Sequence, residues 1–483
     1  MAGIAGIAGF WRRSFFWALP LLWTFALGLW GLSRQHTVWR DEAATWQVAQ
    51  RPVADIWRML AQVDAVHGLY YLLMHGVFEC FGPGTTALRL PSVLAMSVAA
   101  ACVAAIGRRL AGRWVGVAAG LAFGLLPAVQ FYLQEGRPYA LVAMGAGIST
   151  LSLVVMLGQG GRSKSWAVYA GSVLVCALLN WLSLLILPAH LLTLAWVKAG
   201  RGVWARWAGA AATATAGASP LILFSRTQSD QVSWIPPLTC HMLIGPAIVL
   251  AIGGFGALAD RRRAGRLSIA AVGLPLLAVP HIGLVGLSLV QPLFLDRYIL
   301  FSMLGLALLI GALLGAAVDA IGKGAARTWM WFLPAALSLA VVALMPQLSA
   351  KRSPASRVDD VLASAKDVGR LKSEGDAVLF VPAARRDTAL VSPGHFTGLR
   401  DIALARSPSA SGTLKGLEAS PGRIERAVLA QRRILLVTDA PEVAQPVAAE
   451  RDDAKMSALR THFIAVADRQ VHGRRVTVYE RRP

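Results

Sequence analysis

The sequence predicts a polytopic all-α membrane bundle of about 11 transmembrane helices, followed by a small extracytoplasmic α/β domain. Three observations predict it. Hydrophobic residues make up 56% of the chain and charged residues only 15%, with a mean hydropathy of +0.55, and long uncharged runs recur through roughly the first 350 positions. Lys and Arg in that part fall in short clusters between the apolar runs. Beyond it the composition turns mixed and soluble. The formal charge of +21 would suit nucleic acid or a membrane surface, and basic residues clustered between apolar runs select the membrane and exclude nucleic acid.

A hydrocarbon core of about 30 Å needs roughly 20 apolar helical residues. Runs of that kind lie at 14–32, 87–107, 114–133, 139–158, 166–181, 183–197, 207–225, 241–259, 267–290, 298–318 and 329–346. The pair 166–181 and 183–197 is short, so Asn180-Trp181 must serve as the turn between them. Arg12 and Arg13 precede the first run in the manner of a signal peptide, but no small-residue cleavage site follows, which reads as an uncleaved first span.

Orientation follows from the basic clusters, because Lys and Arg are retained on the cytoplasmic side. Arg12/Arg13, Arg108/Arg109/Arg113, Arg162/Lys164, Lys198/Arg201/Arg206, Arg261/Arg262/Arg263/Arg266 and Lys323/Arg327 occupy every second inter-helix position. The N-terminus is therefore expected in the cytoplasm of a bacterial plasma membrane, and residues 349–483 outside it. The stretch "LYYLLMHGVFECF", 69–81, is too short to span and would invert every later loop, so it reads as a juxtamembrane helix.

The membrane domain, 1–348, then carries a long first outer loop, 33–86, and such length between spans implies a function. Val53, Ile56, Trp57, Leu60 and Val63 recur in it at helical spacing, as in an interfacial amphipathic helix. Ahead of that helix, "TVWRDEAATW" places Asp41 and Glu42 side by side in a chain with only 26 acidic residues. An isolated acidic pair commonly does no more than stabilise a helix start. Three further outer-face stretches accompany this one. "FYLQEGRPYAL" carries Glu135 and Arg137, "SDQVSWIPP" a polar turn with Trp234, and "LFLDRYIL" Asp296, Arg297 and Tyr298. Taken singly, each suits snorkelling Arg and belt aromatics. Together they gather carboxylates, guanidiniums and aromatics on one membrane face.

The order "WRDEAATW", "HGLYYLL", "RLPSVLA", "GRPYAL", "DRYIL" along residues 10–320 resembles the membrane glycosyltransferases with the GT-C fold, in the branch of the bacterial protein O-mannosyltransferases and aminoarabinose transferases. The resemblance implies transfer of a sugar from a polyprenyl-phosphate carrier to a cell-envelope acceptor on the outer face of the membrane. It also implies that the acidic residue of the first outer loop is the base or an acceptor-positioning group, here Asp41, with Glu42 beside it. The chain departs from the family at His67-Gly68-Leu69, where many relatives have His-Pro-Pro or a similar turn, and His67 receives no catalytic part.

The chemistry fits these residue types in its own right. A hydroxyl attacking an anomeric carbon needs a base, and a positioned carboxylate contributes about a hundredfold to ten-thousandfold. A retaining reaction needs a second carboxyl about 5 Å away as nucleophile, and adjacent side chains diverge, so inversion is expected. The lipid phosphate that leaves calls for Arg. Arg137 and Arg297 are the candidates, ahead of Arg40 and Arg89, and Glu135, Tyr139, His67, Tyr70, Trp234 and Tyr298 complete the expected substrate-contacting set. Glu42, with a longer and freer side chain than Asp41, is expected to stabilise the helix start.

No metal is assigned: Asp41, Glu42, His67 and Glu135 are ligand types, but HExxH, paired CxxC and a dense acidic cluster are all missing from the sequence. Cys80, Cys102, Cys176 and Cys240 form no framework pattern. The lipid-linked sugar is the one co-substrate expected. A transporter is the alternative, yet no inverted repeat is evident and few ionisable residues lie mid-span; a non-catalytic lipid-binding protein would need no base.

In the C-terminal part, "VDDVLASAKDVGRLKS" reads as a helix before the strand "DAVLFV", "GRIERAVLAQR" as a helix before "ILLVT", "MSALRTHFIAV" as a helix running into a strand, and "RVTVYE" as an edge strand. "GDAVLFVPAARR" has no phosphate-loop glycines, so nucleotide binding is unsupported. Covering the active cavity or selecting the acceptor are the expected roles.

Overall fold

Every apolar run singled out above is helical in the structure, a computed structural model that describes residues 2–32, 36–159, 163–228, 235–260, 267–321, 325–444 and 449–483. In chain order the helices of the first half are α1 (Ala2–Leu29), α2 (Arg40–Ala49), α3 (Val53–Leu60), α4 (Gly68–Phe81), α5 (Thr85–Ala111), α6 (Arg113–Leu125), α7 (Pro127–Tyr132), α8 (Tyr139–Gln159), α9 (Ser163–Leu179), α10 (Ile186–Trp196) and α11 (Arg201–Ser225). There follow α12 (Ile244–Asp260), α13 (Ile269–Ser288), α14 (Met303–Ile321) and α15 (Ala325–Lys351). The C-terminal part runs α16 (Val361–Leu371), β1 (Ala377–Val381), α17 (Asp387–Val391), β2 (Arg400–Asp401), β3 (Leu404–Arg406), α18 (Pro408–Ser411), β4 (Leu417–Glu418), α19 (Pro421–Leu429), β5 (Arg433–Asp439), α20 (Glu450–His462), β6 (Phe463–Val471) and β7 (Arg474–Arg481).

The chain divides into two compact units. The first, residues 1–32 and 89–351, contains helices and no strand among its described residues. Among the described residues, seven helices are long and apolar enough to cross a membrane, and the shorter apolar helices Phe16–Leu29, Arg113–Leu125, Lys164–Leu179 and Trp181–Trp196 fall at the remaining expected spans. Small residues let these helices approach closely, as membrane packing requires. Gly116, Gly120 and Gly124 recur every fourth position of α6, and a Cβ at Gly120 would lie 2.7 Å from the Cβ of Pro20 in α1. The break at Asn180 is built as expected: its side-chain oxygen accepts the Leu182 N–H at 3.2 Å and starts a short 3₁₀ turn ahead of α10. Asp260, buried, accepts the Ala270 N–H at 2.8 Å and caps α13 together with Ser268. Inside the bundle His190 is bonded on both sides, to Thr150 Oγ1 at 3.1 Å and to the Tyr169 hydroxyl at 2.9 Å, and Tyr169 in turn accepts from Trp207 Nε1.

The second unit joins residues 33–88 to residues 352–483. The first outer loop, grouped with the membrane domain on sequence grounds, thus packs with the C-terminal domain. The sheet at its centre has the order β2-β1-β5-β7-β6, with β1 parallel to β2 and β5, and β7 antiparallel to β5 and β6. Alternation along β1 and β5 feeds two apolar layers. Leu379, Ile434 and Leu436 meet Ile424, Val428 and Leu459 on one face, and Phe380, Leu435 and Val437 meet Ala365, Val368 and Phe396 on the other.

Two local expectations need correction. "RVTVYE" is not an edge strand: it lies in β7 between β5 and β6, because the two-residue turn His472-Gly473, with Gly473 at φ +68°, folds β6 back alongside it. In α3, Ile56, Met59 and Leu60 are spent on a core with Val48 and Tyr71, which leaves Val53 and Trp57 as the exposed large apolar residues of that helix.

Candidate functional site

The membrane unit holds five of the sequence-selected residues, Glu135, Arg137, Tyr139, Arg297 and Tyr298. Pro138 stands just before α8, where its fixed φ suits a helix start, and its carbonyl accepts the Val142 N–H at 3.1 Å. The turn before it is held from three directions. Gln134 donates to the carbonyls of Gly28 and Trp30 at 2.7 and 2.8 Å, Ser92 Oγ donates to the Glu135 carbonyl at 2.5 Å, and Glu135 and Arg137 are both buried. Tyr139, at the start of α8, has its ring centroid 6.1 Å from that of Tyr298. The Arg297 guanidinium lies 5.8 Å from the Tyr139 ring and 6.0 Å from Tyr298, within cation–π range. Tyr132, which sequence reasoning passed over, joins them: its hydroxyl donates to Asp296 Oδ1 at 3.1 Å and its ring packs edge-on to Tyr139. Its signal was its position at the head of the quoted 131–141 stretch.

The opening acidic pair lies in the second unit. Arg40, Asp41 and Glu42 form the first turn of α2, where the positive end of the helix dipole favours negative charge. Asp41 is half-buried and Glu42 is fully buried. A freely moving Glu42 is therefore not what the structure holds; its side chain is enclosed. His67 Nδ1 sits 2.8 Å from Asp64 Oδ1, and the Tyr71 hydroxyl donates to the other oxygen of Asp64. Asp64 adopts a left-handed φ of 64°, so this cluster fixes the corner before α4. Tyr70 is fully buried in α4. Trp234 lies outside the described residues. Among the described residues no group of three or more His, Cys, Asp or Glu is placed so that it could hold a metal ion.

The α2 N-terminus is fastened by residues far along the chain. The Arg40 backbone N–H and Nε donate to the two oxygens of Asp359, at 2.9 and 3.1 Å. Asp359 also accepts from Arg474 Nε at 2.9 Å, and Arg474 makes a fork of two 2.8 Å bonds to Asp387. Burial alone would raise the Asp359 pKa. The guanidiniums of Arg474 and Arg40 and the Arg40 N–H outweigh it and hold the carboxyl below its usual range. At the far end of α2, Arg51 donates to the carbonyls of Thr413 and Leu414 at 3.0 and 3.4 Å.

The fold is that of the membrane glycosyltransferases of the GT-C class. In particular the chain superposes on ArnT from Cupriavidus metallidurans at 14% identity, with a TM-score of 0.62 over 98% of both chains in the apo state. For ArnT bound to undecaprenyl phosphate the TM-score is 0.60, over 97% of this chain and 98% of that one, also at 14% identity. The Archaeoglobus fulgidus oligosaccharyltransferase AglB, in complex with an inhibitory peptide and a dolichol-phosphate, gives 0.53 at 10% identity over 89% of this chain and 70% of that one. No protein-family model and no curated protein sequence matches the chain. Likeness at such identities is likeness of fold.

Proposed function

We propose that the protein is an inverting glycosyltransferase of the bacterial plasma membrane that moves a hexosyl or pentosyl group from a polyprenyl-phosphate carrier to a glycan, lipid or protein acceptor on the outer face. The observation that carries this reading is the likeness to ArnT over 97% of this chain, ArnT having been captured with undecaprenyl phosphate, in a chain whose first helix after the first span carries Asp41 and Glu42 in its first turn. On this reading Asp41 accepts the proton of the attacking hydroxyl. Arg137 and Arg297 take up the charge that develops on the departing lipid phosphate, since a guanidinium fork matches phosphate geometry. The tyrosines around Arg297 limit its rotamers, which suits a group that must meet the phosphate without reorganising.

The test is transfer by purified protein in proteoliposomes supplied with undecaprenyl-phosphate sugars and an envelope extract. Asp41→Asn should lower turnover by at least about a hundredfold with donor binding intact, and Glu42→Gln should cost much less. The reverse ranking would move the base to Glu42, and small losses from both would move it to Glu135. Mass spectrometry of envelope glycans and glycolipids from a deletion strain names the sugar. An unchanged envelope would sink the transferase reading.

A further inference from the structure

The parallel part of the sheet has a switch point. The chain leaves β1 to form β2 on one side and returns to β5 on the other, and in open α/β sheets ligands bind in the crevice beyond the strand carboxyl ends at such a point. Here that edge carries Asp439 at the end of β5, Arg474 opposite it in register at the start of β7, and Arg385 just past β1. Arg385 bonds Asp439 at 2.5 and 2.8 Å, and Asp359 and Asp387 both bond Arg474. The set from the C-terminal domain is thus three carboxylates and two guanidiniums. The third cation comes from another part of the chain: Arg40 bonds Asp359 through its N–H and Nε, and its Nη2 lies 3.6 Å from Asp439. A backbone bond from Val361 N–H to the Val38 carbonyl, at 2.8 Å, lies alongside.

Resting on the catalytic reading of Asp41, we infer that Arg40 and Asp359 are positioning residues: the C-terminal domain uses its switch-point edge, where related sheets hold a separate ligand, to grip the N-terminus of α2 and so set the carboxylate of the next residue, Asp41. The grip has two parts that substitution separates. Asp359 holds a backbone N–H, which every residue except proline would retain at position 40, whereas the guanidinium of Arg40 completes the charge balance. Arg40 is partly exposed and Asp359 fully buried, so substitution of Arg40 is the gentler probe, and Arg474 keeps Asp387 as a partner when Asp359 is replaced.

The experiment compares full-length wild type, Arg40→Ala, Arg40→Lys and Asp359→Asn by hydrogen exchange and by transfer kinetics. Arg40→Ala and Asp359→Asn should speed amide exchange in α2 by at least about tenfold while β1 and β5 stay protected. Turnover should fall by about tenfold or more with the donor KM unchanged, and Arg40→Lys should recover part of the loss. Unchanged α2 exchange in both variants overturns the grip. Faster exchange with wild-type turnover overturns the positioning role. Wild-type turnover in Asp41→Asn would sink the catalytic reading instead, and the exchange data would still decide whether the grip exists.

Discussion

The Arg297 guanidinium lies 5.8 Å from the Tyr139 ring and 6.0 Å from the Tyr298 ring, and that environment distinguishes it from a membrane-edge arginine free to snorkel. A planar guanidinium stacks and forks at once, which an ammonium cannot do. Arg297→Lys and Arg137→Lys should therefore raise the donor KM by about tenfold or more, against little change for Lys at an exposed control such as Arg423. Donor affinity unchanged in the Lys and Ala variants alike would leave only an anchoring role. At Asp359 the prediction concerns pH. Its carboxyl is held below the usual range, so its contribution is fully present above about pH 4, the ordinary value, and is lost as pH falls through the lower folded value. Exchange protection of α2 should be level from neutral pH down to about pH 5 and fail only in stronger acid. At this scale the sequence was legible where residues lie close together: Asp41 with Glu42, Arg137 with Tyr139, and Arg297 with Tyr298 are local clusters with an unusual composition. The bond from Arg40 to Asp359 was not, because "VDDVLASAKD" carries every mark of an ordinary helix start and nothing in either stretch refers to the other.

Among the elements, those decided by their own composition were read directly and those decided by neighbours were not. Asn180 breaks α9 from α10 because its side chain competes for a backbone N–H, a local effect visible in the sequence. The position of β7 inside the sheet depends on the turn at Gly473 and on β5, and a strand of alternating residues looks the same at an edge. The glycine face of α6 is an intermediate case: its four-residue spacing is in the sequence, but its partner helices are not. Gly120→Val should force the α1–α6 contact apart and lower stability by about 1–3 kcal/mol, read as a fall in Tm in detergent. Valine at Gly171, where nothing lies near, is the control. Equal Tm values for the two would show that the close approach does not matter to stability.

For the molecule as a whole, the eleven apolar runs and the placement of basic residues between them make the topology a testable reading. With Cys80 and Cys240, both exposed, replaced by Ser, a cysteine at Glu374 should react with an impermeant thiol reagent in intact spheroplasts, and one at Arg201 only after permeabilisation. Labelling at Arg201 without permeabilisation would invert the orientation and with it the proposed outer-face chemistry.

The unit that carries Asp41 is assembled from two pieces of chain, and this has a consequence in time. Arg40 leaves the ribosome 319 residues before the carboxylate that grips it, an interval of roughly a quarter of a minute to a minute at about 5–20 residues per second. Throughout it α2 waits outside any completed sheet while the membrane helices from α5 to α15 are still being made. A ribosome that stalls after residue 351 would release a chain with all of its apolar helices and an ungripped α2. On the reading proposed above, such a product inserts but does not transfer sugar, so competence arrives only once the C-terminal domain has been made, and a copy without it cannot draw on the cell's supply of lipid-linked donor.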